Sequence, residues 1–158
     1  MTTTQSAPLL QTTTEIAATP QEVWAVITDP RALGGLSDQV LRTHVVGTAP
    51  VGLGTRTINI NRRGPLVWPT RAKVVRFEPH RDYAFRIKDN ASTWSFELEP
   101  SATGGTTVTH RREAPNGMTK VSMVLQDKVL GGVADFDREM EAGMATTLQR
   151  LKALLERG

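Results

Sequence analysis

The sequence predicts an α+β fold, in which a curved antiparallel sheet of about seven strands wraps around one long C-terminal helix. Three observations lead to this prediction. Several segments before residue 114 alternate apolar and polar residues, as strands with one buried face do. One or two short helices follow the first strand. The end of the chain repeats apolar residues at spacings of three and four, which indicates a long amphipathic helix.

The first predicted strand covers residues 9–18, LLQTTTEIAA, which are rich in Thr and Ile. A short helix follows in TPQEVWAVITDP. Thr19 suits the N-cap position, and Pro20 suits the first helical position, where the missing N–H costs no hydrogen bond. Pro30 predicts the end of this helix, because the residue before a proline avoids helical geometry. RALGGL then predicts one further short turn.

Five strands are predicted between this helical region and residue 100. Their ranges are 39–47, 55–62, 67–79, 82–89 and 92–100. In the last of them Trp94, Phe96 and Leu98 alternate with polar residues in a clean period of two. These three side chains therefore mark the inward face of that strand.

The next strand, TTVTHRREAP, poses a question of register. One face carries Val108, His110 and Arg112, and the other carries Thr107, Thr109, Arg111 and Glu113. If Phe96 lies opposite Val108, then Trp94 lies opposite His110, and both His110 and Arg112 face inward. A slip of one residue turns the threonines inward instead. Val108 is the one apolar residue of the strand and favours the first register.

The C-terminal region begins ambiguously and ends as a helix. Residues 118–130, MTKVSMVLQDKVL, fit either a strand or a helix, and Gly131-Gly132 predicts a break or bend. From Val133 onward the pattern is helical. One side of this helix carries Phe136, Met140, Met144, Thr147, Leu148, Leu151, Leu154 and Leu155. The space between helix and sheet is then either filled or left as a cavity.

Composition indicates one domain over residues 9–157, after a disordered tail at residues 1–8. Of the 158 residues, 39% are hydrophobic and 22% charged, as in ordinary globular proteins. The absence of cysteine excludes disulfides and thiolate chemistry and favours the cytoplasm. No apolar stretch approaches the roughly 18 to 20 residues that cross a bilayer, and the N-terminus does not resemble a signal peptide. We therefore expect a cytoplasmic protein without stable membrane insertion.

The charge pattern argues against a nucleic-acid partner. The formal net charge is +3, and Lys and Arg do not form blocks; Arg62-Arg63 and Arg111-Arg112 are isolated pairs. Nucleic-acid binders usually concentrate positive charge on one face. We expect no nucleic acid among the partners.

Sequence motifs for common catalytic centres are missing. No Gly-x-Ser-x-Gly motif marks a nucleophile. His44, His80 and His110 are spaced without a metal-ligand pattern. GTAPVGLGT lacks the Gly-Lys-Ser/Thr ending of a phosphate loop and precedes a strand, so we interpret it as a turn. We expect neither a metal nor another cofactor.

Several segments resemble one superfamily. Ala18-Thr19-Pro20, Val23-Trp24 and Asp29-Pro30 resemble the opening of SRPBCC proteins, which are START-like proteins of the helix-grip fold. VVRFEPHRDYAFRI, TWSFELEPSATGGTTVTHR and LQRLKALLE resemble the middle strands, the penultimate hairpin and the C-terminal helix of that superfamily. The chain is most similar to the bacterial polyketide cyclase/dehydrase and lipid-transport type. The resemblance covers roughly residues 9–156 and implies the helix-grip fold more firmly than any one activity.

The resemblance also implies where a ligand would enter and what would contact it. RALGGLSDQV lacks the aromatic residues that relatives often carry there, which implies a more open or more loop-like entrance. We expect a ligand to enter through the loops near residues 31–38, 48–54 and 63–69. Candidate ligand-contacting residues are Thr14, Arg56, Trp68, Phe85, Trp94, Phe96, Val108, Phe136, Met140 and Met144. Arg56 is included because it shares strand parity with two isoleucines, and the methionines because they adapt to varied apolar guests. Trp24 is expected in the core.

His110 and Arg112 are the candidates for chemistry. An inward His110 would serve as acid or base, and Arg112 or Arg56 would hold a carboxylate, enolate or phenolate oxygen. In the alternative reading, His110 bonds to a neighbouring carbonyl and Arg112 reaches solvent at the strand end.

Three functions follow from these expectations. The first is binding of a small or medium hydrophobic ligand, which would be a lipid, polyketide or aromatic metabolite, in a cavity between the sheet and the C-terminal helix. The second is a cyclase or dehydratase that uses His110. The third is a non-catalytic interaction protein with a collapsed pocket. A monomer or homodimer is expected in each case, and an open cavity of several hundred Å³ separates the first two from the third.

Overall fold

A computed structural model describes residues 10–89, 91–113 and 133–157 of the chain, with side chains of the last helix described from residue 138. The strands are β1 (Leu10–Ile16), β2 (Val40–Val45), β3 (Arg56–Arg63), β4 (Leu66–Glu78), β5 (Asp82–Ile87), β6 (Thr93–Pro100) and β7 (Thr106–Glu113). The helices are α1 (Pro20–Ile27), α2 (Pro30–Gly35) and α3 (Val133–Glu156). The predictions for residues 1–8, for residues 118–130 and for Gly131-Gly132 lie outside the described residues.

The seven strands form one antiparallel sheet in the order β1-β7-β6-β5-β4-β3-β2. The long helix α3 packs across its inner face, mainly against β1. Two polar contacts fix the end of the helix to this strand: the Lys152 ammonium donates to the Glu15 carbonyl (2.7 Å), and the Ala17 N–H donates to the Glu156 carboxylate (2.9 Å). The predicted α+β architecture is confirmed.

Capping interactions explain where the two short helices begin. The Thr19 hydroxyl accepts a hydrogen bond from the Glu22 N–H (3.2 Å), and the Glu22 carboxylate accepts one from the Thr19 N–H (3.1 Å). This reciprocal capping box satisfies donors that a helix start otherwise leaves unpaired. Pro30 is the first residue of α2, and the Asp29 carboxylate caps that six-residue helix. The predicted single turn is therefore a separate helix.

The main core lies beneath α1 and the C-terminal half of α3. Its members include Ile16, Val23, Ile27, Phe96, Leu98, Val108, Leu148 and Leu151, all 2% exposed or less. Trp24 joins this core, as expected, and its ring meets Phe77 edge to face at a centroid distance of 5.1 Å. This end of the sheet is filled.

The register of β6 and β7 differs from the predicted one by two residues. Leu98 lies opposite Val108, Phe96 opposite His110, and Trp94 opposite Arg112. The predicted pairing of Phe96 with Val108 and of Trp94 with His110 is wrong. A shift of two preserves the side-chain parity, so the same side chains face inward as in the predicted register.

The turn between these two strands sets the observed register. Ser101 donates from its N–H to the Gly105 carbonyl (3.0 Å), and the Gly105 N–H donates to the Ser101 hydroxyl (3.1 Å). Gly104 adopts a φ of +87°, which favours glycine. These bonds close a five-residue loop, so Pro100 pairs with Thr106.

We expect Thr19→Ala to lower the free energy of unfolding by about 1 kcal/mol, because it removes the hydroxyl of the capping box. Chemical denaturation measures this change. Thr19→Ser is the matched control and should retain most of the stability, since serine keeps the hydroxyl. An equal loss in both variants would contradict a capping role for Thr19.

Candidate functional site

A cavity of about 460 Å³ lies between the inner face of the sheet and α3. Helix α3 contributes Met140, Gly143, Met144 and Thr147, and the α2 region contributes Pro30, Leu33, Gly34, Ser37, Asp38 and Gln39. Strands β2 to β7 and the β5–β6 turn supply Val40, Thr43, Thr57, Asn59, Asn61, Trp68, Pro69, Thr70, Val74, Tyr83, Phe85, Ile87, Asp89, Ser92, Trp94, Phe96, His110 and Arg112. The cavity occupies the part of the inner face that the core described above leaves unfilled.

An aromatic wall forms one side of this cavity. The His110 imidazole stacks on the Phe96 ring, with centroids 4.0 Å apart and planes inclined by 10°. Trp94 lies 5.8 Å from the same imidazole, and Tyr83 lies 6.0 Å from Phe85. Burial, together with the charge of Asp29, raises the pKa of the Tyr83 hydroxyl to about 12. Tyr83 therefore keeps its proton and can donate a hydrogen bond.

His110 is a neutral imidazole with a defined tautomer. Its Nδ1 lies 2.8 Å from the Ser95 carbonyl oxygen, which can only accept, so Nδ1 carries the proton and donates. Burial lowers the pKa of His110 to about 4, although the bond to the Ser95 carbonyl favours the charged form. With Nδ1 protonated, the Nε2 lone pair is the acceptor that the ring offers. At neutral pH, Nε2 can accept a hydrogen bond from a guest. The ring has no proton to give beyond the one that Nδ1 donates to the Ser95 carbonyl.

Arg112 is a buried cation in the cavity wall. Its side chain is 1% exposed and lies next to Trp94 in the β6–β7 pairing. An arginine keeps its charge in proteins and has five N–H donors in a planar fork. The alternative in which Arg112 reaches solvent at the strand end is wrong, because Arg112 lies on the inward face of β7 and is 1% exposed.

The two carboxylates that line the cavity are paired with arginines outside its lining. Asp38 bonds to Arg150 at 2.6 Å. Asp89 accepts from the Arg71 guanidinium at 3.2 Å and from its backbone N–H at 2.7 Å. Both negative charges are therefore compensated from the outside.

A polar group of side chains on β2, β3 and β4 forms the opposite wall. It comprises Thr43, Thr57, Asn59, Asn61 and Thr70. The Thr43 hydroxyl donates to Asn59 Oδ1 (2.8 Å), and Asn61 Nδ2 donates to the Thr70 hydroxyl (2.8 Å). Amides and hydroxyls held in this way can bond to oxygen atoms of a guest. None of these five residues was predicted from the sequence to face the cavity.

The missed wall reflects a wrong choice of face for β3. In TRTININ, alternate side chains lie on opposite faces of the strand. The apolar Ile58 and Ile60 indicated that their face is the inward one. In the structure these isoleucines lie on the outer face. Arg56, which shares their parity, is exposed and does not line the cavity. The pairing with β4 places Asn61 opposite Trp68, and both side chains face the cavity.

The other predicted ligand-contacting residues divide into three groups. The cavity lining includes Trp68, Phe85, Trp94, Phe96, Met140 and Met144, together with His110 and Arg112. Thr14 and Val108 face each other on the inner side of the sheet, but they do not line the cavity. The core with Leu148 and Leu151 fills that end of the inner face. The side chain of Phe136 lies outside the described residues.

Two kinds of feature are absent from residues 10–89, 91–113 and 133–157. No cluster of three or more His, Asp or Glu side chains is arranged to hold a metal ion there. Likewise, none of the described helices combines the length and apolar character needed to span a membrane.

Comparison with protein families gives a match to the family described as polyketide cyclase/dehydrase and lipid transport, over residues 8–156. Comparison with the curated proteins gave no match. The family match covers nearly the whole chain and agrees with the resemblance seen in the sequence.

Solved structures show the same fold at low sequence identity. A Polyketide_cyc-like protein from Corynebacterium glutamicum is 22% identical, with a TM-score of 0.67, and the match covers 96% of this chain and 93% of that one. The di-domain ARO/CYC StfQ from the steffimycin biosynthetic pathway is 14% identical, with a TM-score of 0.74. That match covers 94% of this chain but 50% of the di-domain chain. TTHA0849 from Thermus thermophilus is 17% identical, with a TM-score of 0.63 and coverage of 93% of this chain and 99% of that one.

We expect His110 to make stability depend on pH in the mildly acidic range. The unfolded chain takes up this proton near the ordinary pKa of 6.5, whereas the folded chain does so near 4. The contribution of the uncharged His110 to the free energy of unfolding is therefore fully present above about pH 6.5. It is lost as the pH falls towards 4, and the loss is at most about 3 kcal/mol.

Denaturation curves between pH 4 and 7.5 measure this effect. His110→Phe is the comparison variant, because phenylalanine can keep the stacking on Phe96 but cannot be protonated. We expect this variant to have lower stability at neutral pH and a shallower loss towards pH 4. An unchanged pH dependence would show that His110 is not the group responsible.

Proposed function

Because this chain belongs to the polyketide cyclase/dehydrase and lipid transport family, we propose that it binds a small or medium hydrophobic molecule with at least one acceptor oxygen. The binding site is the cavity between the sheet and α3. The observation that carries this proposal is the 460 Å³ of space beside both an aromatic wall and a buried guanidinium. Lipids, polyketides and aromatic metabolites are the classes of ligand that meet this description.

The apolar part of the site supplies most of the proposed affinity. Ligand pockets usually enclose about 300–1,000 Å³ and are lined mainly by apolar and aromatic side chains. Phe85, Trp94 and Phe96 offer ring faces on the sheet, and Met140 and Met144 face them from α3. Each Å² of apolar surface removed from water contributes about 25 cal/mol to binding before entropy losses are counted. Thioethers adapt to guests of different shape.

The polar part of the site sets the orientation of the guest. Arg112 donates to a carboxylate, enolate or phenolate oxygen, since its planar fork matches such groups. His110 Nε2 accepts from a hydroxyl of the guest. The amide and hydroxyl wall on β3 and β4 bonds to further oxygen atoms. A guest with an apolar body and oxygens at two ends fits these three groups.

Binding is favoured over catalysis by His110 for a physical reason. A cyclase or dehydratase needs a group that gives and takes a proton near neutral pH. With a pKa of about 4 and its Nδ1 proton committed to the Ser95 carbonyl, His110 is a poor acid and a weak base at pH 7. Binding is also favoured over a collapsed pocket, because the volume between sheet and helix is large enough for a guest.

We expect Gly143→Phe to abolish binding without unfolding the protein. Gly143 lines the cavity from α3, and a Cβ added there meets no atom within 4 Å. A benzyl group at this position would occupy the space of the guest. The measurement is the affinity for 2-naphthoate, an aromatic carboxylate, from quenching of Trp68 and Trp94 fluorescence or from calorimetry.

Gly143→Ala is the matched control. It adds one methyl group, leaves most of the volume and should raise the free energy of unfolding by roughly 0.5–1 kcal/mol, as alanine favours the helix. We expect its affinity for 2-naphthoate to stay within about threefold of the original. Undiminished binding by folded Gly143→Phe would refute the proposed site.

We expect Arg112→Gln to discriminate between charged and neutral guests. Loss of a charge-assisted hydrogen bond costs about 1.5–3 kcal/mol, so affinity for 2-naphthoate should fall at least about tenfold. Affinity for the neutral 2-acetylnaphthalene should change much less. Arg62→Gln, on the outer face, is the control and should leave both affinities unchanged. Equal losses for the two guests would contradict a specific role of Arg112 in holding an anionic oxygen.

A further inference from the structure

The outer face of strands β2 to β5, turned away from the cavity, gathers basic residues that are distant in the sequence. We call this surface the outer basic face; its cations are Arg42, Arg56, Arg62, Arg71, Lys73 and Arg86, all exposed. They share the outer parity of Ile58 and Ile60, opposite to that of Asn61, Thr70 and Phe85, which line the cavity. Because side chains alternate between the two faces of a strand, these cations are separated along the chain. The sequence pattern alone therefore did not predict the cluster.

Three of these cations form a row across neighbouring strands. Arg56 on β3 lies opposite Lys73 on β4, and Lys73 lies opposite Arg86 on β5. Side chains directly opposite in a sheet have Cβ atoms about 4.5–5.5 Å apart, and like charges there are destabilising. Within the described residues none of the three makes an ion pair. Three like charges therefore lie side by side on neighbouring strands here.

The rest of the outer face is balanced by acidic residues. Arg76 bonds to Asp82 and to Glu113, both at 2.9 Å, and Arg111 lies 3.4 Å from Glu97. On the outer basic face, by contrast, Arg71 is the cation that has a carboxylate partner among the described residues, namely Asp89. Among the described residues of the outer face, the cations without a carboxylate partner therefore lie on β2 to β5, although the formal net charge of the chain is +3.

Aliphatic side chains lie between these cations. Val67 is opposite Arg62, and Ile60 is opposite Arg42. Val67 is 53% exposed and Val75 on the same strand 38% exposed. Sheets that bind nucleic acid usually present aromatic rings for base stacking. Among the described residues this face carries no Phe, Tyr or Trp ring, since the tryptophan of β4 points into the cavity, and the imidazole on it is that of His44, opposite Ile58.

We propose that the outer basic face docks the protein on an anionic lipid surface. Cations next to a negatively charged membrane each contribute roughly 1 kcal/mol, and exposed aliphatic groups add contact with the interfacial region. Positive charge with aliphatic side chains and without Phe, Tyr or Trp rings matches a lipid surface better than a nucleic acid. The docking is peripheral and does not depend on whether the cavity is occupied.

Vesicle flotation with the full chain tests this proposal. The probes are vesicles of phosphatidylcholine alone and vesicles that also contain phosphatidylglycerol, each at low and at physiological salt. Lys73→Glu/Arg86→Glu reverses two charges of the row, and Arg31→Glu/Arg157→Glu makes the same net change at exposed positions away from it. Lys73→Gln/Arg86→Gln is a milder variant that removes the charges without reversing them. Thermal melting verifies that each variant is folded.

We expect binding to the phosphatidylglycerol vesicles and not to phosphatidylcholine alone, with weaker binding as salt rises. Reversal of the two charges should weaken binding at least about tenfold, the Gln variant should weaken it less, and the control pair should stay within about threefold. No binding to anionic vesicles would overturn the proposal, as would an equal loss in the control pair. Tighter binding to a single-stranded or duplex oligonucleotide than to the vesicles, at the same salt, would also overturn it.

Discussion

The pairing of β6 with β7 is the constraint on which the rest of the site depends. Because Phe96 lies opposite His110, the imidazole stacks on the phenyl ring and donates to the Ser95 carbonyl, and the same parity buries Arg112. A slip of one residue would turn Arg111 and the threonines inward. The stacking of His110 on Phe96, its bond to the Ser95 carbonyl and the burial of Arg112 would all be lost. The hydrogen-bonded loop closed by Ser101 and Gly105 fixes this pairing, so a surface turn controls the polarity of a buried wall.

Helix α3 divides the inner face of the sheet into a filled part and an open part. Toward its C-terminal end, Leu148 and Leu151 complete the core over β1 and the start of β7. One to two turns earlier, Met140, Gly143 and Met144 border the cavity instead. The absence of a side chain at Gly143 leaves room there, at some cost to helix propensity. Gly143 therefore leaves space that a large side chain would fill.

The sequence was sufficient for the order of the elements and for the inward face of β6 and β7, because apolar residues marked those faces. It was misleading for β3, where Ile58 and Ile60 lie on the outer face and asparagines face the cavity. Local alternation does not reveal which parity a curved sheet turns inward; the pairing with β4 decides this. The exclusion of Thr14 from the cavity depended on where α3 lies, and the outer basic face depended on strand neighbours that are distant in sequence. Both are tertiary properties.

The central claim is that the interior beside Arg112 receives an apolar anion. An NMR titration of the isotope-labelled protein with 2-naphthoate tests it most directly. We expect saturable chemical-shift changes, and these should be largest for the Trp94 indole, the Arg112 Nε–H and the methyl groups of Met140 and Met144. Intermolecular nuclear Overhauser contacts should connect the naphthalene ring to these methyl groups. Shift changes confined to the outer face of the sheet, or an absence of saturable changes, would contradict the account.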